Sequence, residues 1–265
     1  EKVLETEPVD IVIGSSDKKN LVSSIYELME MRNTSIIDSK KSFVTDLKQK
    51  VEFEELKISD NTSHTRAFIK IQDGCDKYCT FCIIPFLRGH IRSRKLEDIV
   101  NEIDNLSQKG IKEFVFTGIN MSAYGADIKY EHDLADVINS VNDLPLVERA
   151  RISSLDPDIV TVEFLEKIKN SKKVCPHFHL SLQSGSDSVL DRMKRGYTAE
   201  EYSEKCDLLR EYYENPAITT DIIMGFPGET EEMAQETYDY VEKIHFAAVH
   251  VFPFKERWNC CGKYA

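Results

Sequence analysis

Apolar residues along most of the chain follow two alternating periods, one typical of buried strands and one of amphipathic helices. Short apolar runs predict six strands, at residues 67–71, 114–118, 149–154, 177–182, 218–225 and 247–252. Helical spacing between them predicts helices at 96–106, 134–141, 156–168, 198–213 and 230–244. Asp156-Pro157 and the capping box of Thr198 and Glu201 mark two helix starts. This alternation predicts an α/β fold with a parallel sheet, and six repeats fit a partial (β/α)6 TIM-like barrel.

The first 64 residues follow a different pattern. Residues 9–14 predict a short strand that ends at a glycine, and residues 20–31 carry apolar side chains at helical spacing. The polar, irregular stretch after them predicts a linker. The expected divisions are therefore the end of a preceding α/β domain at 1–31, a linker at 32–64, a core domain at 65–254 and a divergent tail at 255–265.

The composition of the 265 residues is that of a globular protein, with 41% hydrophobic and 30% charged residues. No apolar run has the length that a bilayer requires, and the acidic, polar first ten residues do not resemble a signal peptide. We therefore expect a cytoplasmic protein with no membrane partner. Because the chain begins with Glu1 rather than Met, we also expect it to be a piece of a longer protein.

Three of the seven cysteines lie in one short loop after the first core strand, in the spacing Cys75-x3-Cys79-x2-Cys82. The odd number of cysteines and this tight spacing argue against a secreted disulfide framework. Three thiolates hold three irons of a cubane cluster and leave the fourth iron open, whereas electron-storage clusters normally have four cysteine ligands. The pattern therefore indicates a catalytic iron–sulfur cluster, on the face where parallel barrels carry their chemistry.

A structural zinc site is an alternative for this loop. Zinc usually takes four ligands, often from paired Cys-x2-Cys knuckles. No fourth cysteine or histidine lies nearby at knuckle spacing, although His64 and His90 flank the loop. A ferredoxin-like electron carrier is a second alternative, but it needs a matching fourth cysteine.

Small and polar residues follow the other predicted strands on the same face. Glycine lets the backbone approach a ligand closely, and neutral side chains offer hydrogen bonds, so these loops together fit a slot for a nucleoside and an amino-acid group. The residues are Asn120, Ser153, Ser154, Gln183, Gly225 and Gly228. Taken singly, the two glycines also fit ordinary turns, and Asn120 and Gln183 fit turn caps.

The net charge of −12 argues weakly against a nucleic-acid partner, but basic residues crowd the segment just after the cysteine loop. This segment is either a solvated basic turn or an anion site at the mouth of the cluster pocket. The candidate phosphate contacts are Arg88, Arg92 and Arg94.

The cysteine spacing on the first strand-loop of a six-fold β/α pattern resembles the radical S-adenosylmethionine enzymes. Other segments are similar to the methylthiotransferases among them, and the resemblance extends over about residues 66–254. These segments are Gly74-Cys75-Asp76, Ile84-Pro85, Arg88-Gly89, Arg92-Ser93-Arg94, 117–120, Ser153-Ser154, 182–186 and 225–229. Residues 70–76 and 193–198 look most like the branch that acts on N6-threonylcarbamoyladenosine in tRNA. Sister branches act on isopentenyl-adenosine in tRNA or on an aspartate of a ribosomal protein.

The resemblance implies a transferase that adds a methylthio group to carbon 2 of a modified adenosine beside the tRNA anticodon. It implies one [4Fe–4S] cluster on Cys75, Cys79 and Cys82, with S-adenosylmethionine on the open iron. It also implies an electron donor of the low-potential flavodoxin or ferredoxin type. The residues that would hold S-adenosylmethionine are Asn120, Ser153, Ser154, Gln183, Gly225 and Gly228, with Arg195 as a candidate for its carboxylate. The implied partner is tRNA.

Two parts of the family pattern are not found in this sequence. The family carries a second cluster on three cysteines of an N-terminal domain, and residues 1–31 resemble only the end of that domain. It also carries a C-terminal β-barrel that binds tRNA. We therefore expect the chain alone to cleave S-adenosylmethionine but to insert sulfur poorly. A non-catalytic, cluster-bearing remnant that binds tRNA is the alternative outside the enzymes.

Overall fold

The computed structural model describes residues 3, 5, 9–33, 41–46, 51–56, 65–128 and 132–255. Of the sequence-based expectations, His64 and the tail after Lys255 lie outside these residues. None of the described helices is long and apolar enough to span a membrane.

The N-terminal part consists of β1 (Ile11–Ile13), a 3-10 turn (Lys18–Asn20), α1 (Leu21–Asn33) and β2 (Lys41–Phe43). β2 pairs with β1 in parallel, with Ile11 opposite Lys41. The expectation of an irregular stretch throughout 32–64 is therefore wrong at β2. Only one of its three side chains is apolar, so it shows no hydrophobic period, and main-chain hydrogen bonds such as Gly14 N to Phe43 O (2.7 Å) form it instead.

The core alternates strands and helices along the chain. Its elements are β3 (Arg66–Lys70), β4 (Gln72–Asp73), α2 (Ile84–Arg88), β5 (Arg92–Ser93), α3 (Leu96–Gln108), β6 (Glu113–Thr117), α4 (Leu134–Asn139), β7 (Arg149–Ile152), β8 (Ser154–Leu155), α5 (Val162–Ile168), β9 (His177–Leu180), α6 (Asp187–Met193), α7 (Ala199–Tyr212), β10 (Ala217–Met224), α8 (Glu231–Ile244) and β11 (Ala248–Pro253).

Two parallel sheets follow the order of the chain, β3-β6-β7 and β8-β9-β10-β11. Only Ser153 separates β7 from β8, so the sheets provide six consecutive strand positions. Helices or helical turns follow each of the first five positions, as right-handed βαβ crossovers require. The predicted α/β fold of (β/α)6 type is confirmed. β4 and β5 form a separate antiparallel pair that flanks the cysteine loop.

Alternation along the strands separates the buried core from the opposite face of the sheet. In β3, Ala67 and Ile69 are fully buried while Arg66 is exposed. In α3, Ile99 and Ile103 recur at a four-residue spacing and pack into the same core. Burial of each isoleucine contributes roughly 2 kcal/mol, which explains why the apolar periods predicted these elements well.

The helix predicted at 156–168 is divided in two. Asp156 caps only a short 3-10 turn (Pro157–Ile159), and α5 begins after a second cap, Thr161, whose Oγ1 accepts from Phe164 N at 3.2 Å. The sequence prediction also missed α2, the β4–β5 pair and α6. These elements are seven residues long or shorter and, unlike the equally short α4, they gave no apolar period in the sequence.

Candidate active site

The start of the cysteine loop packs tightly against the segment before β5. Gly74 has a φ of +75°, which favours glycine, and a Cβ there would lie 1.9 Å from the carbonyl oxygen of His90. The next main-chain amide, Cys75 N, donates to Gly89 O at 3.1 Å. Glycine at position 74 therefore allows the close approach that fixes Cys75.

The other half of the loop is held by α6, the helix that the sequence did not predict. Thr80 N donates to Met193 O at 3.1 Å, and Thr80 Oγ1 donates to Arg192 O at 2.8 Å. Cys82 N donates to Cys79 O at 2.9 Å and closes a turn between these two cysteines. The end of α6 thus positions the Cys-x2-Cys part of the loop.

Cys75, Cys79 and Cys82 line one cavity of about 150 Å³ at the carboxyl ends of the strands. Four other predicted residues line it with them, and these are Asn120, Ser154, Gln183 and Arg195. The structure therefore brings together seven of the predicted site residues from distant parts of the sequence. Two aromatic residues lie between the cysteines in sequence. Phe81 also lines the cavity, whereas Tyr78 packs edge-on against Phe86 with ring centroids 5.6 Å apart.

Ser153, Gly225 and Gly228 are not on the wall of this cavity. Ser153 N donates to Phe116 O at 3.1 Å and joins two strands. Gly225 N donates to the Glu229 carboxylate at 2.5 Å, and Gly228 lies so close to Arg192 that an added Cβ would be 1.9 Å from Nη1. In the structure these three residues shape the strand ends and the turn after β10.

Arg195 is a buried cation next to a cysteine sulfur. Its Nη1 donates to Cys79 Sγ at 3.2 Å, and its Nη2 donates to Asp156 Oδ2 at 3.2 Å and to Ser181 O at 3.0 Å. Burial opposes its charge, but Tyr197, Cys79 and Asp156 outweigh burial and raise the pKa of the guanidinium above its ordinary value. Arg195 therefore stays protonated and places a positive charge beside the Cys79 sulfur.

Asp156 connects Arg195 to a second cation that the sequence analysis missed. Lys77 Nζ lies 2.7 Å from both Asp156 Oδ1 and Asp158 Oδ2. Asp156 had been interpreted only as a helix cap, although its place just after the third strand puts it on the rim that carries the site. Lys77 lies between Cys75 and Cys79 in the sequence, and this position could have marked it as a site residue.

Tyr197 completes the surroundings of Arg195 and was also missed. Its Oη accepts from Arg195 Nε at 2.8 Å and donates to Ser181 O at 2.6 Å. Burial raises the pKa of its hydroxyl above the ordinary value, so it stays neutral. A neutral phenol can orient the guanidinium without cancelling its charge.

Gln72 is the fully buried residue that links the Asn120 loop to the cysteine loop. Its Oε1 accepts from Asn120 N at 2.7 Å and Ile119 N at 3.0 Å, while its Nε2 donates to Gly74 O at 2.7 Å. Asn120 Nδ2 in turn approaches Cys75 Sγ at 3.9 Å. Burial raises the pKa of the Cys75 thiol despite these donors, so a metal would be needed to hold it as thiolate at neutral pH.

The three arginines expected at phosphates differ in exposure. Arg92 is buried and pairs with Asp73 at 3.2 Å, and Arg94 is buried between Glu55 and Glu102. The guanidinium groups of these two candidate phosphate contacts therefore serve internal ion pairs in the structure. Arg88 is half-buried. Its side chain is 34% exposed, and its Nη1 lies 3.8 Å from Asp73 Oδ2.

The arrangement of the cysteines fits a cluster better than a single ion or a disulfide. None of the five cysteines in the described part of the chain is in a disulfide. Within that part, the group of three potential ligands lying within 4.8 Å of one another is His179, Asp221 and His250, and not the three cysteines. Their sulfurs are therefore spread more widely than a single tetrahedral zinc ion requires.

Residues 69–241 match the family model of the Radical SAM superfamily. The chain belongs to the radical SAM superfamily. Membership of this superfamily implies a [4Fe–4S] cluster and S-adenosylmethionine as cofactors. The residues present fit such a cluster, since three thiols that are not in disulfides share one cavity with a buried cation.

Curated relatives of this radical SAM chain are tRNA-modifying enzymes. The threonylcarbamoyladenosine tRNA methylthiotransferases MtaB of Bacillus subtilis and Aquifex aeolicus are each 38% identical to it, over 94% and 97% of the chain. A tRNA-2-methylthio-N(6)-dimethylallyladenosine synthase of Thermoanaerobacter pseudethanolicus is 38% identical over 94%. The chain spans 54%, 61% and 51% of the lengths of these three relatives.

Solved structures share the fold with this chain at low sequence identity. The radical S-adenosylmethionine methyltransferase TsrM from Kitasatospora setae superposes with a TM-score of 0.58 at 18% identity, over 70% of this chain and 35% of TsrM. Coproporphyrinogen III oxidase HemN from Escherichia coli gives a TM-score of 0.50 at 17% identity, over 72% of this chain and 44% of HemN. These likenesses support the radical SAM fold.

Proposed function

We propose that this chain is the radical SAM core of a tRNA methylthiotransferase that acts on carbon 2 of N6-threonylcarbamoyladenosine next to the anticodon. The cavity that joins the three cysteines to the buried Arg195 carries the proposal. Two observations support N6-threonylcarbamoyladenosine as the substrate. The MtaB relatives are threonylcarbamoyladenosine tRNA methylthiotransferases, and residues 70–76 and 193–198 resemble that branch of the family. The proposal includes tRNA as partner, a low-potential flavodoxin or ferredoxin as electron donor and a cytoplasmic location.

In this proposal Cys75, Cys79 and Cys82 hold one [4Fe–4S] cluster. A reduced cluster at this site would supply the electron that cleaves the sulfonium bond of S-adenosylmethionine. Asn120, Ser154 and Gln183 offer neutral hydrogen bonds from the cavity wall to S-adenosylmethionine. Ser153, Gly225 and Gly228 do not line the cavity, and in this proposal they shape the strand ends and the turn after β10.

Arg195 has a different role from the one that the resemblance implied. Its Nε, Nη1 and Nη2 are already engaged with Tyr197, Cys79 and Asp156. We therefore assign to it the positioning of the Cys79 sulfur, through the contact from Nη1, before any contact with a substrate carboxylate. The network of Asp156 and Lys77 keeps this cation in place without a net excess of buried charge.

Dimethylallyl-adenosine in tRNA is the second candidate substrate. The tRNA-2-methylthio-N(6)-dimethylallyladenosine synthase of Thermoanaerobacter pseudethanolicus has the same 38% identity to this chain as the two MtaB enzymes. Of the predicted phosphate contacts, Arg88 remains a candidate under either substrate because part of its side chain is exposed.

Anaerobic reconstitution tests the core of the proposal. We expect about four irons per chain, an electron paramagnetic resonance signal that shifts when S-adenosylmethionine is added, and 5′-deoxyadenosine in the presence of dithionite. Cys75→Ala should lose all three. About eight irons would reveal a second set of ligands, and product at the level of Cys75→Ala would contradict the proposal. Methylthiolation by these 265 residues alone is expected to be poor, because the second cysteine set of the family is not in this sequence.

RNA binding distinguishes the two substrates. Anticodon stem-loops carrying N6-threonylcarbamoyladenosine, dimethylallyl-adenosine or unmodified adenosine are titrated into the reconstituted chain at one fixed salt concentration. The first should bind tightest. Tighter binding of the dimethylallyl form would favour the second candidate.

A further inference from the structure

Three metal-ligating side chains meet on β9, β10 and β11, outside the cysteine cavity. The core face of these strands carries Phe178 and Ile222, which are 0% and 2% exposed. His179 and Asp221 alternate with these residues and therefore lie on the opposite face of the sheet. Strand pairing then places His250 next to Asp221, since these two residues are register partners.

The donor atoms of this group converge closely. His179 Nε2 lies 3.3 Å from Asp221 Oδ2, and His250 Nδ1 lies 3.2 Å from Asp221 Oδ1. One donor atom from each residue lies within 4.8 Å of the other two. The two imidazole rings are stacked with their centroids 6.0 Å apart. Two nitrogens and one oxygen are therefore available around a single point.

Thr219 orients one of the two imidazoles. Its Oγ1 lies 3.0 Å from His179 Nδ1, and Thr219 is the register partner of His179 on the neighbouring strand. When Nδ1 donates to this hydroxyl, Nε2 carries the lone pair and faces Asp221. A hydrogen bond to the distal nitrogen is the usual support of a metal-binding histidine.

The surroundings leave room for an ion and for its further ligands. Asp221 lines a cavity of about 510 Å³ whose wall also includes Cys82 and Gln183. His250 is on the last described strand, and its side chain is 62% exposed. The group is thus accessible from solvent and adjoins the cysteine site without sharing a ligand with it.

We propose that His179, Asp221 and His250 bind a divalent first-row transition-metal ion. Two imidazoles and one carboxylate are the ligands of catalytic zinc sites, in which water completes the coordination, and of non-haem ferrous sites. The ion would be distinct from the iron–sulfur cluster, so this proposal does not depend on the proposed function. If no ion binds, the same contacts are a hydrogen-bonded His–Asp–His network.

Zinc titration tests the site in a full chain that carries Cys75→Ala, Cys79→Ala and Cys82→Ala, which removes the thiolates of the cysteine loop. Calorimetry should show about one saturable Zn²⁺ per chain. Asp221→Asn or His250→Gln should abolish this binding, and Thr219→Val should weaken it about 10–100-fold. His250→Gln changes an exposed side chain, so it keeps the test valid if Asp221→Asn does not fold.

Controls separate this site from other donors. His132, whose Nδ1 lies 3.4 Å from Asp136 Oδ2, is a surface His–carboxylate pair outside the proposed site, and His132→Gln should leave binding unchanged. Co²⁺ in place of Zn²⁺ should give ligand-field bands without the intense absorption of thiolate ligands. Absence of saturable binding, or binding that survives both Asp221→Asn and His250→Gln, would overturn the proposal and leave the hydrogen-bonded network.

Discussion

Single residues decide the electrostatics of the cysteine site. Arg195 and Asp156 have side chains that are 6% and 8% exposed, and their ion pair lies beside Cys79. A buried pair of this kind contributes little net stability, but removal of one partner leaves the other charge without compensation. Arg195 is therefore the residue at which a change of charge should have the largest effect on the site.

We expect Arg195→Gln to lower the free energy of unfolding of the metal-free chain by about 3 kcal/mol, because a buried ion pair is broken. The loss stays at the lower end for such pairs because Asp156 keeps Lys77 as a cation partner. Arg195→Lys retains the charge but not the planar fork and should be intermediate. Urea denaturation of the parent chain, Arg195→Gln and Arg195→Lys measures these free energies. Arg149, whose side chain is 56% exposed and pairs with Glu113, provides the matched control, and Arg149→Gln should change stability by less than about 0.5 kcal/mol. Equal losses at both arginines would contradict the assignment.

The buried thiol of Cys206 on α7 should make the free energy of unfolding depend on pH in a specific way. Burial raises the pKa of its thiol to about 12, above the value of about 8.5 for an unfolded cysteine. Above pH 8.5 the unfolded chain therefore releases this proton while the folded chain retains it. The folded state binds more protons, and its stability falls as pH rises.

Between about pH 8 and 9.5, the free energy of unfolding should fall by about 1 kcal/mol more in the parent chain than in Cys206→Ala. The comparison uses the reduced, metal-free chain and urea denaturation at each pH. The substitution also creates a cavity, so the slope with pH carries the test and not the absolute stability. Parallel slopes for the two chains would show that Cys206 does not titrate in this way.

At the scale of elements, segments with a clear apolar period could be predicted, and short segments without such a period could not. The capping box of Thr198 and Glu201 was found from sequence because both partners are local, and the structure confirms it at the start of α7. α6 has only seven residues, of which Val189 and Met193 pack with Phe226 from the turn after β10. Its formation depends on that distant partner, which no local pattern reveals.

The same limit applies to the contacts that position the candidate site. The cysteine spacing and the strand ends were predicted because they are sequence patterns. Gln72, which joins two loops through its side-chain amide, was missed because a buried glutamine within a strand-like run has no distinguishing local signal. Burial of Arg92 and Arg94 was missed for the same reason, since their acidic partners lie on other elements.

The contact between α6 and the cysteine loop leads to a prediction at this scale. Thr80→Val keeps the shape of the side chain but removes the donor to Arg192 O, which should cost about 1 kcal/mol of stability. Release of iron from the reconstituted chain to a chelator should also become faster, because the loop is less firmly held. Thr80→Ser keeps the hydroxyl and should behave like the parent chain. If Thr80→Ser and Thr80→Val released iron equally fast, the hydroxyl contact would not be the cause.

At the scale of the whole molecule, an ion pair and a cation–π contact connect residues 51–56 to the core. Glu55 pairs with Arg94 at 2.9 Å, and Lys70 Nζ lies 5.6 Å from the centre of the Phe53 ring. Lys18 pairs with Glu54 at 2.8 Å within the N-terminal part. Residues 51–56, predicted as part of a linker, are therefore attached to β3 and to the segment before α3.

Glu55→Gln should loosen this attachment without affecting the sheet. Arg94 keeps Glu102 as a partner, and the Glu55 side chain is 36% exposed, so the expected loss is about 1 kcal/mol, or about fivefold in the local opening equilibrium. Hydrogen–deuterium exchange should become about fivefold faster at residues 51–56 and remain unchanged in β9 and β10. Glu52→Gln, on the same segment, is the control and should leave both regions unchanged. A uniform increase across the core would mean that Glu55 supports the whole fold rather than this one attachment.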